Sequence, residues 1–163
     1  MILSGLGKDK DQNDYIAKNW RYFLNGSPPV LLSENCGMAV DMSPDHKFLI
    51  GTLIWGDNPG IYQYSLVDKK CTKLKSGIST YLAMFAKDGK SFVYFLASHG
   101  ETTIWRQPFR NREAVGAPVS AVKLPFALRE DYMGNAYSVA PDLSSVVFAR
   151  PGGYDDLYLL SAK

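Results

Sequence analysis

Histidine and cysteine are scarce, with only two of each in 163 residues. Cys36 and Cys71 cannot form the disulfide framework that holds a small secreted scaffold together. They read as two isolated thiols packed as small side chains, with a single bridge as the alternative, and no run of basic neighbours activates either one. Neither sign of charge dominates, since 18 Lys and Arg stand against 16 Asp and Glu for a net charge of +2. That balance gives no electrostatic reason to expect nucleic acid or an anionic membrane surface as a partner. No apolar run approaches the roughly 18 residues of a membrane span, so direct membrane insertion is not expected. Met1-Ile2-Leu3 runs at once into Gly5, Gly7 and Lys8, which is not the apolar core of a secretory signal. The compartment stays unassigned; it is periplasmic or otherwise extracytoplasmic if the chain is part of a larger exported protein.

Aromatic and turn-forming residues are plentiful: 10 Tyr, 8 Phe and 3 Trp accompany 14 Gly and 9 Pro. Short β-branched and aromatic runs between turn residues mark an all-β protein. These runs repeat. Ser43-Pro44-Asp45 precedes Phe48 to Trp55, the turn Gly56 to Gly60, and Ile61 to Leu66. The order returns as Ala86-Lys87-Asp88-Gly89, Ser91 to Leu96, Ser98-His99-Gly100, and Thr103 to Arg106. A third copy runs through Ala140-Pro141-Asp142, Val146 to Ala149, Pro151-Gly152-Gly153, and Leu157 to Leu160. Asp45 to Tyr62, Asp88 to Trp105 and Asp142 to Tyr158 are intervals of about 17, 17 and 16 residues, the constancy a repeat unit requires. Upstream, Ile2 to Leu6 and Asn19 to Leu24 fit a truncated copy. Trp20, Tyr62 and Trp105 then follow at about 42 and 43 residues, while Tyr158 comes about 53 later, which places an insertion between Phe109 and Asn135.

Each unit reads as a four-stranded antiparallel meander, a to d. Strand a precedes the Asp turn, as in Met38 to Asp41 or Tyr81 to Phe85, and strand d carries Val30 to Leu32, Thr72 to Leu74 or Val122 to Leu124. The b strands are apolar on both faces: Phe92, Tyr94 and Leu96 point one way, Val93 and Phe95 the other. Such a strand must lie between neighbouring sheets, and radial stacking of sheets satisfies that demand. At the a–b turn, Pro44 and Pro141 preset φ, while Asp45, Asp88 and Asp142 accept from backbone amides two residues on, with Gly89 following Asp88.

These Pro-Asp units, Ser43-Pro44-Asp45, Ala86-Lys87-Asp88-Gly89 and Ala140-Pro141-Asp142, each followed by the aromatic strand, resemble TolB-like β-propellers, the Pro-Asp variant of WD-type repeats. The resemblance covers about Ile2 to Leu160; Lys87 in place of Pro and the insertion depart from it. It implies one β-propeller region over residues 1–163, with a partial blade at about 1–35, blades at 36–77 and 78–127, and a second partial blade at 128–163. Some 14 strands make about three and a half blades, fewer than the 4–8 of a closed ring. Three arrangements follow: the C-terminal part of a longer propeller, a two-fold homodimer completing a ring of about seven blades, or a four-bladed ring of one chain.

The resemblance also implies that the b–c and d–a loops form a partner face. Those loops hold Trp55, Asp57, Asn58, His99, Glu101, Arg129, Asp131, Tyr132, Arg150, Tyr154 and Asp155, a rim suited to a protein, peptide or small polar ligand. The bland alternative is that these are solvated turn residues. A catalytic triad is not expected: His46 and His99 fall at opposite ends of the meander and no G-x-S-x-G elbow occurs. Asp9, Asp11 and Asp14 lack the glycine and terminal Glu of a calcium loop, so no metal or cofactor is expected. Trp20, Tyr62, Trp105 and Tyr158 recur in register and are expected to pack between blades. The expected function is a non-enzymatic interaction or sensing module. In proteins it resembles, such a propeller belongs to a larger bacterial chain, such as a receptor-type serine/threonine kinase or transcriptional regulator, or serves as a periplasmic scaffold. The alternative is the gating propeller of a prolyl-oligopeptidase-type serine peptidase.

Overall fold

The computed structural model describes residues 1–8, 15–54, 56–80, 82–126, 137–140, 142, 144–150 and 156–161. Among them there is no helix, only antiparallel strands in four successive sheets. The first sheet holds β1 (Ile2–Lys8), β2 (Tyr15–Arg21) and β3 (Val30–Glu34). The second holds β4 (Met38–Met42), β5 (Phe48–Leu53), β6 (Gly60–Ser65) and β7 (Cys71–Ser76). The third holds β8 (Ala83–Phe85), β9 (Ser91–Ser98), β10 (Glu101–Arg110), the short β11 (Glu113–Ala114) and β12 (Val119–Leu124). The fourth holds β13 (Tyr137–Val139), β14 (Ser145–Arg150) and β15 (Asp156–Ser161). Consecutive strands pair in each sheet, except that in the third both β11 and β12 pair with β10.

The core lies between the sheets, and the two-faced strands explain why. Tyr62 and Tyr64 of β6 and Leu49 of β5 turn toward the first sheet with Cys36, where Ile2 and Leu32 pack against them. Ile50 and Ile61, from alternate positions of the same strands, and Leu74 of β7 turn the other way onto Phe85, Phe92 and Tyr94. One residue on, Val93 and Phe95 face Leu124, Val139 and Val146 between the third and fourth sheets. Period-two alternation thus divides one chain among three cores. Full burial of a side chain such as Phe92 or Ile50 stabilises by about 1.5–3 kcal/mol.

The seam between the first two sheets also carries a buried polar cluster. Asn19 of β2, 1% exposed, donates from Nδ2 to Ser33 Oγ and to the Gly37 carbonyl, both at 2.8 Å. Its Oδ1 accepts the Ala39 amide at 2.8 Å. The Ser4 hydroxyl shares its proton between that oxygen (2.7 Å) and the Ala39 carbonyl (2.8 Å). Side chains of one sheet thereby satisfy backbone groups of β4, which costs far less than burying them unpaired. Gly37 must be glycine: its φ is 67°, and a Cβ there would stand 2.9 Å from the Thr52 amide nitrogen.

Three expectations need correction. Cys36 and Cys71 are not isolated thiols but form a disulfide, with 5.7 Å between Cα atoms across a sequence separation of 35. The meander carries the chain from the link between the first two sheets back to the outer strand of the second, which brings together residues that look remote in sequence. The aromatic strand expected over Asn19 to Leu24 ends at Arg21, because Tyr22 to Gly26 turn the chain and Gly26 takes a φ of 81°. Strand a of the third sheet is also shorter than Tyr81 to Phe85, starting at Ala83.

Part of the insertion is a hairpin extension. β10 continues to Arg110 and pairs with β11 through Asn111 and Arg112, whose φ values of 52° and 69° suit a two-residue primed turn. Arg112 reaches across to the second sheet, donating to Asp68 at 2.5 Å and lying over the Phe48 ring at 5.4 Å. Gln107, 1% exposed, donates to the carbonyls of Val115 and Gly116 and so anchors the return toward β12.

Candidate functional site

The a–b turns are built alike. Asp45, Asp88 and Asp142 each accept from the amide two residues on, those of Lys47 (3.2 Å), Lys90 (2.9 Å) and Ser144 (3.0 Å). His46 and Gly89 both follow the Asp with a left-handed φ, 59° and 62°. The Ser43 hydroxyl bonds Asp45 at 2.7 Å and, with the Lys47 amide, holds that carboxyl below its ordinary range. For Asp88, burial works upward, but the Lys90 amide, Arg106 at 2.5 Å and Ser91 bring it below the usual value. The Ser144 hydroxyl and amide lower Asp142 likewise. Pro44 sits in the first of these turns, and Pro141 lies outside the described residues.

At the opposite end of the sheets, Asp57 and Asn58 are exposed in the β5–β6 connection. Asn58 serves its own hairpin: its carbonyl accepts the Tyr62 hydroxyl at 2.6 Å and its Oδ1 accepts Lys73 Nζ at 3.2 Å. His99, in the β9–β10 turn, and Glu101, which opens β10, are also exposed, with 2.7 Å between His99 Nδ1 and Ser98 Oγ. No hydrogen bond or ion pair among the described residues joins these two loops. Trp55, Arg129, Asp131, Tyr132, Tyr154 and Asp155 lie outside the described residues; Arg150 ends β14, its side chain not described. His46 and His99 sit at opposite ends of their sheets, and among the described residues no group of three metal-binding side chains occurs. Tyr62 packs between sheets and Trp105 packs against the same core as Phe92, while the Tyr158 side chain is not described.

Two cavities among the described residues lie at the a–b end. A cavity of about 470 Å³ opens between the first two sheets, walled by Ile2, Phe23, Leu24, Met42 and Leu49, with Arg21 and Asp41 as its charged groups. Leu24 is 92% exposed at its mouth. A second cavity of about 390 Å³ continues past Met42, Met84 and Phe85 toward Lys87 and Asp142. Asp41 lines both. Its Oδ2 accepts the Phe85 amide at 2.8 Å, joining strand a of the second sheet to strand a of the third. Burial raises its pKa above the ordinary carboxyl value, outweighing the Phe85 and Met42 amides that favour the charged form. Sequence reading passed over Asp41, although a signal existed. Two residues before Ser43, Ala86 and Ala140 stand Asp41, Met84 and Ser138, so a carboxylate occupies a repeat position that the next copy fills with methionine.

No family model and no curated protein matches the sequence. Solved structures do match. TolB from Acinetobacter baumannii superposes with a TM-score of 0.61 at 19% identity, over 99% of this chain and 41% of that one. The β-propeller domain of the Trilobed protease from Pyrococcus furiosus, described as having an open velcro topology, gives 0.58 at 14% identity, over 99% of this chain and 51% of that one. Oligogalacturonate lyase in complex with manganese gives 0.57 at 14% identity, over 90% of this chain and 40% of that one. The four sheets are β-propeller blades, and the chain spans about half or less of the length of each of these structures.

Proposed function

We propose that this chain is a non-enzymatic interaction or ligand-sensing propeller module that takes its partner at the a–b end of the blades. The observation that supports the reading is the larger cavity, apolar in its walls, charged at Asp41 and Arg21, and bordered by exposed Phe23 and Leu24. The Cys36–Cys71 disulfide favours an extracytoplasmic setting, since such bonds persist in oxidising compartments. A periplasmic scaffold or the sensing part of a larger bacterial protein fits that setting. A protein or peptide is the expected partner. A homodimer that completes a ring of about seven blades is a further arrangement compatible with this reading. The likeness to the propeller domain of a protease supports a second reading, a gating propeller of a serine peptidase.

A thermal-shift screen of short peptides and small polar ligands tests the first reading. A ligand at 100 times its Kd should stabilise by about 2.7 kcal/mol, a shift of several degrees in Tm. The shift should vanish in Leu24→Asp, an exposed position whose change leaves the fold intact. Hits that survive Leu24→Asp but are lost in Asp57→Ala with Glu101→Ala would move binding to the b–c rim and overturn the proposal.

A further inference from the structure

In the a strands of the second, third and fourth sheets, Asp41 shares its column with Met84 and Ser138. Met84 packs against the core that holds Val139, and a thioether is at best a weak acceptor. A joint between sheets of this kind therefore closes without a carboxylate, and the fold does not account for Asp41. Holding a carboxylate there has a cost. Burial raises its pKa, and among the described residues no Lys or Arg forms an ion pair with it. A carboxylate offers about four acceptor positions. The amides of Phe85 and Met42 use part of that capacity, which leaves room for a further donor.

The space beside Asp41 is the smaller cavity, about 390 Å³, walled by Met42, Pro44, Met84 and Phe85. Lys87 and Asp142, both exposed, complete its lining. Lys87 acts on Asp142, whose carboxyl it helps to hold below the ordinary range, and Arg21 lines only the larger cavity. The a strands of the three sheets that border the smaller cavity, β4, β8 and β13, are all in place, so the repeat has no strand left to put there.

Such a volume is far more than a bare ion needs, and among the described residues no group of three metal-binding side chains occurs. Apolar walls around one carboxylate suit an organic cation on a short hydrocarbon stem. Away from bulk water its attraction to Asp41 is stronger than in solvent, and the pairing offsets the cost of burying the carboxylate.

We propose that the smaller cavity binds a primary alkylammonium group, whose nitrogen pairs with Asp41 and whose stem lies against Met42, Met84 and Phe85. The group is carried by a small amine or by a lysine side chain of a partner peptide. This goes beyond the partner reading above, which rests on the larger cavity and the exposed Leu24.

The probes are n-butylamine hydrochloride and Nα-acetyl-lysine amide, with n-butanol as the uncharged control. Binding to the whole oxidised chain is followed by NMR at the methyl groups of Met42 and Met84. The expected result is saturable shifts at both methyls with n-butylamine and at least tenfold weaker binding of n-butanol. Asp41→Asn should lose at least tenfold in amine affinity. It keeps an oxygen for the Phe85 amide, and an unchanged response to n-butanol shows that its cavity is intact. Leu24→Asp should leave the amine titration as it is, so this site and the larger cavity can fail separately. Binding of Nα-acetyl-lysine amide as well assigns the group to a peptide, and binding of n-butylamine alone assigns it to a small amine. Equal affinity for amine and alcohol, or amine affinity that survives Asp41→Asn, would overturn the proposal. So would methyl signals that do not move, the result if another part of the chain fills the cavity.

Discussion

Removing the Cys36–Cys71 bond should cost a large part of the stability. The bond closes a loop of 35 residues. On the chain-entropy account, a loop of that size corresponds to about 4 kcal/mol at 25 °C. A domain's total stability is typically 5–15 kcal/mol, so the bond accounts for a quarter or more of it. Cys36 is 2% exposed and packs with Leu49, Tyr62 and Tyr64, so replacing it with alanine leaves part of a cavity as well. For a chain of this length 1 kcal/mol moves Tm by about 2–4 °C, and a Cys36→Ala, Cys71→Ala variant should therefore melt roughly 8–15 °C lower. Differential scanning calorimetry with and without reductant measures it, and a thiol reagent should find no reactive thiol in the native protein and two after reduction. Reduction that leaves Tm within 2 °C, or two thiols titrating before reductant, would show that the crosslink does not tie the start of the second sheet to its outer strand as described.

Two further outcomes follow from polar groups in the seams. Asn19→Ala strips the partners from the Ala39 amide, the Gly37 carbonyl and Ser33 at once, and urea unfolding should show a loss of about 3 kcal/mol; a loss under 1 kcal/mol would mean water replaces the amide there. At Asp41, burial raises the folded pKa above 3.8, so the folded chain holds that proton to higher pH than the unfolded chain. Stability is then lost as pH rises through that interval, and the full penalty applies above it. Asp41→Asn keeps a carbonyl oxygen for the Phe85 amide and removes the penalty. Its Tm relative to the native chain should rise between pH 3 and pH 7, and a difference that shrinks over that range would refute the assignment.

Most of the architecture was legible because the relevant signals are local. Phe92 to Leu96 can be read as two-faced from five consecutive residues, and the Pro-Asp turns set the repeat length without any knowledge of space. The disulfide was not legible, since two cysteines 35 residues apart carry no sign that a meander folds one back upon the other. The β10–β11 turn was hidden for another reason: Asn111-Arg112 lacks the glycine that marks a primed turn, and Arg112 tolerates its φ of 69° while bonded to Asp68 in the preceding blade. Asp41 stands in register with Met84 but ends a short apolar strand, where its carboxylate reads as part of the adjoining turn. In a repeat, the informative residue is the one that breaks the column, even inside a strand.

The amide of Asn19 behaves as a dowel between two plates. Directional bonds to Gly37 and Ala39 fix how far β4 can slide past β2, and a shift of about one ångström would weaken both together. Packed hydrocarbon sets no comparable limit, because its attraction falls off without regard to direction. The first joint of the fan is thereby held in register by bond direction as well as by packing.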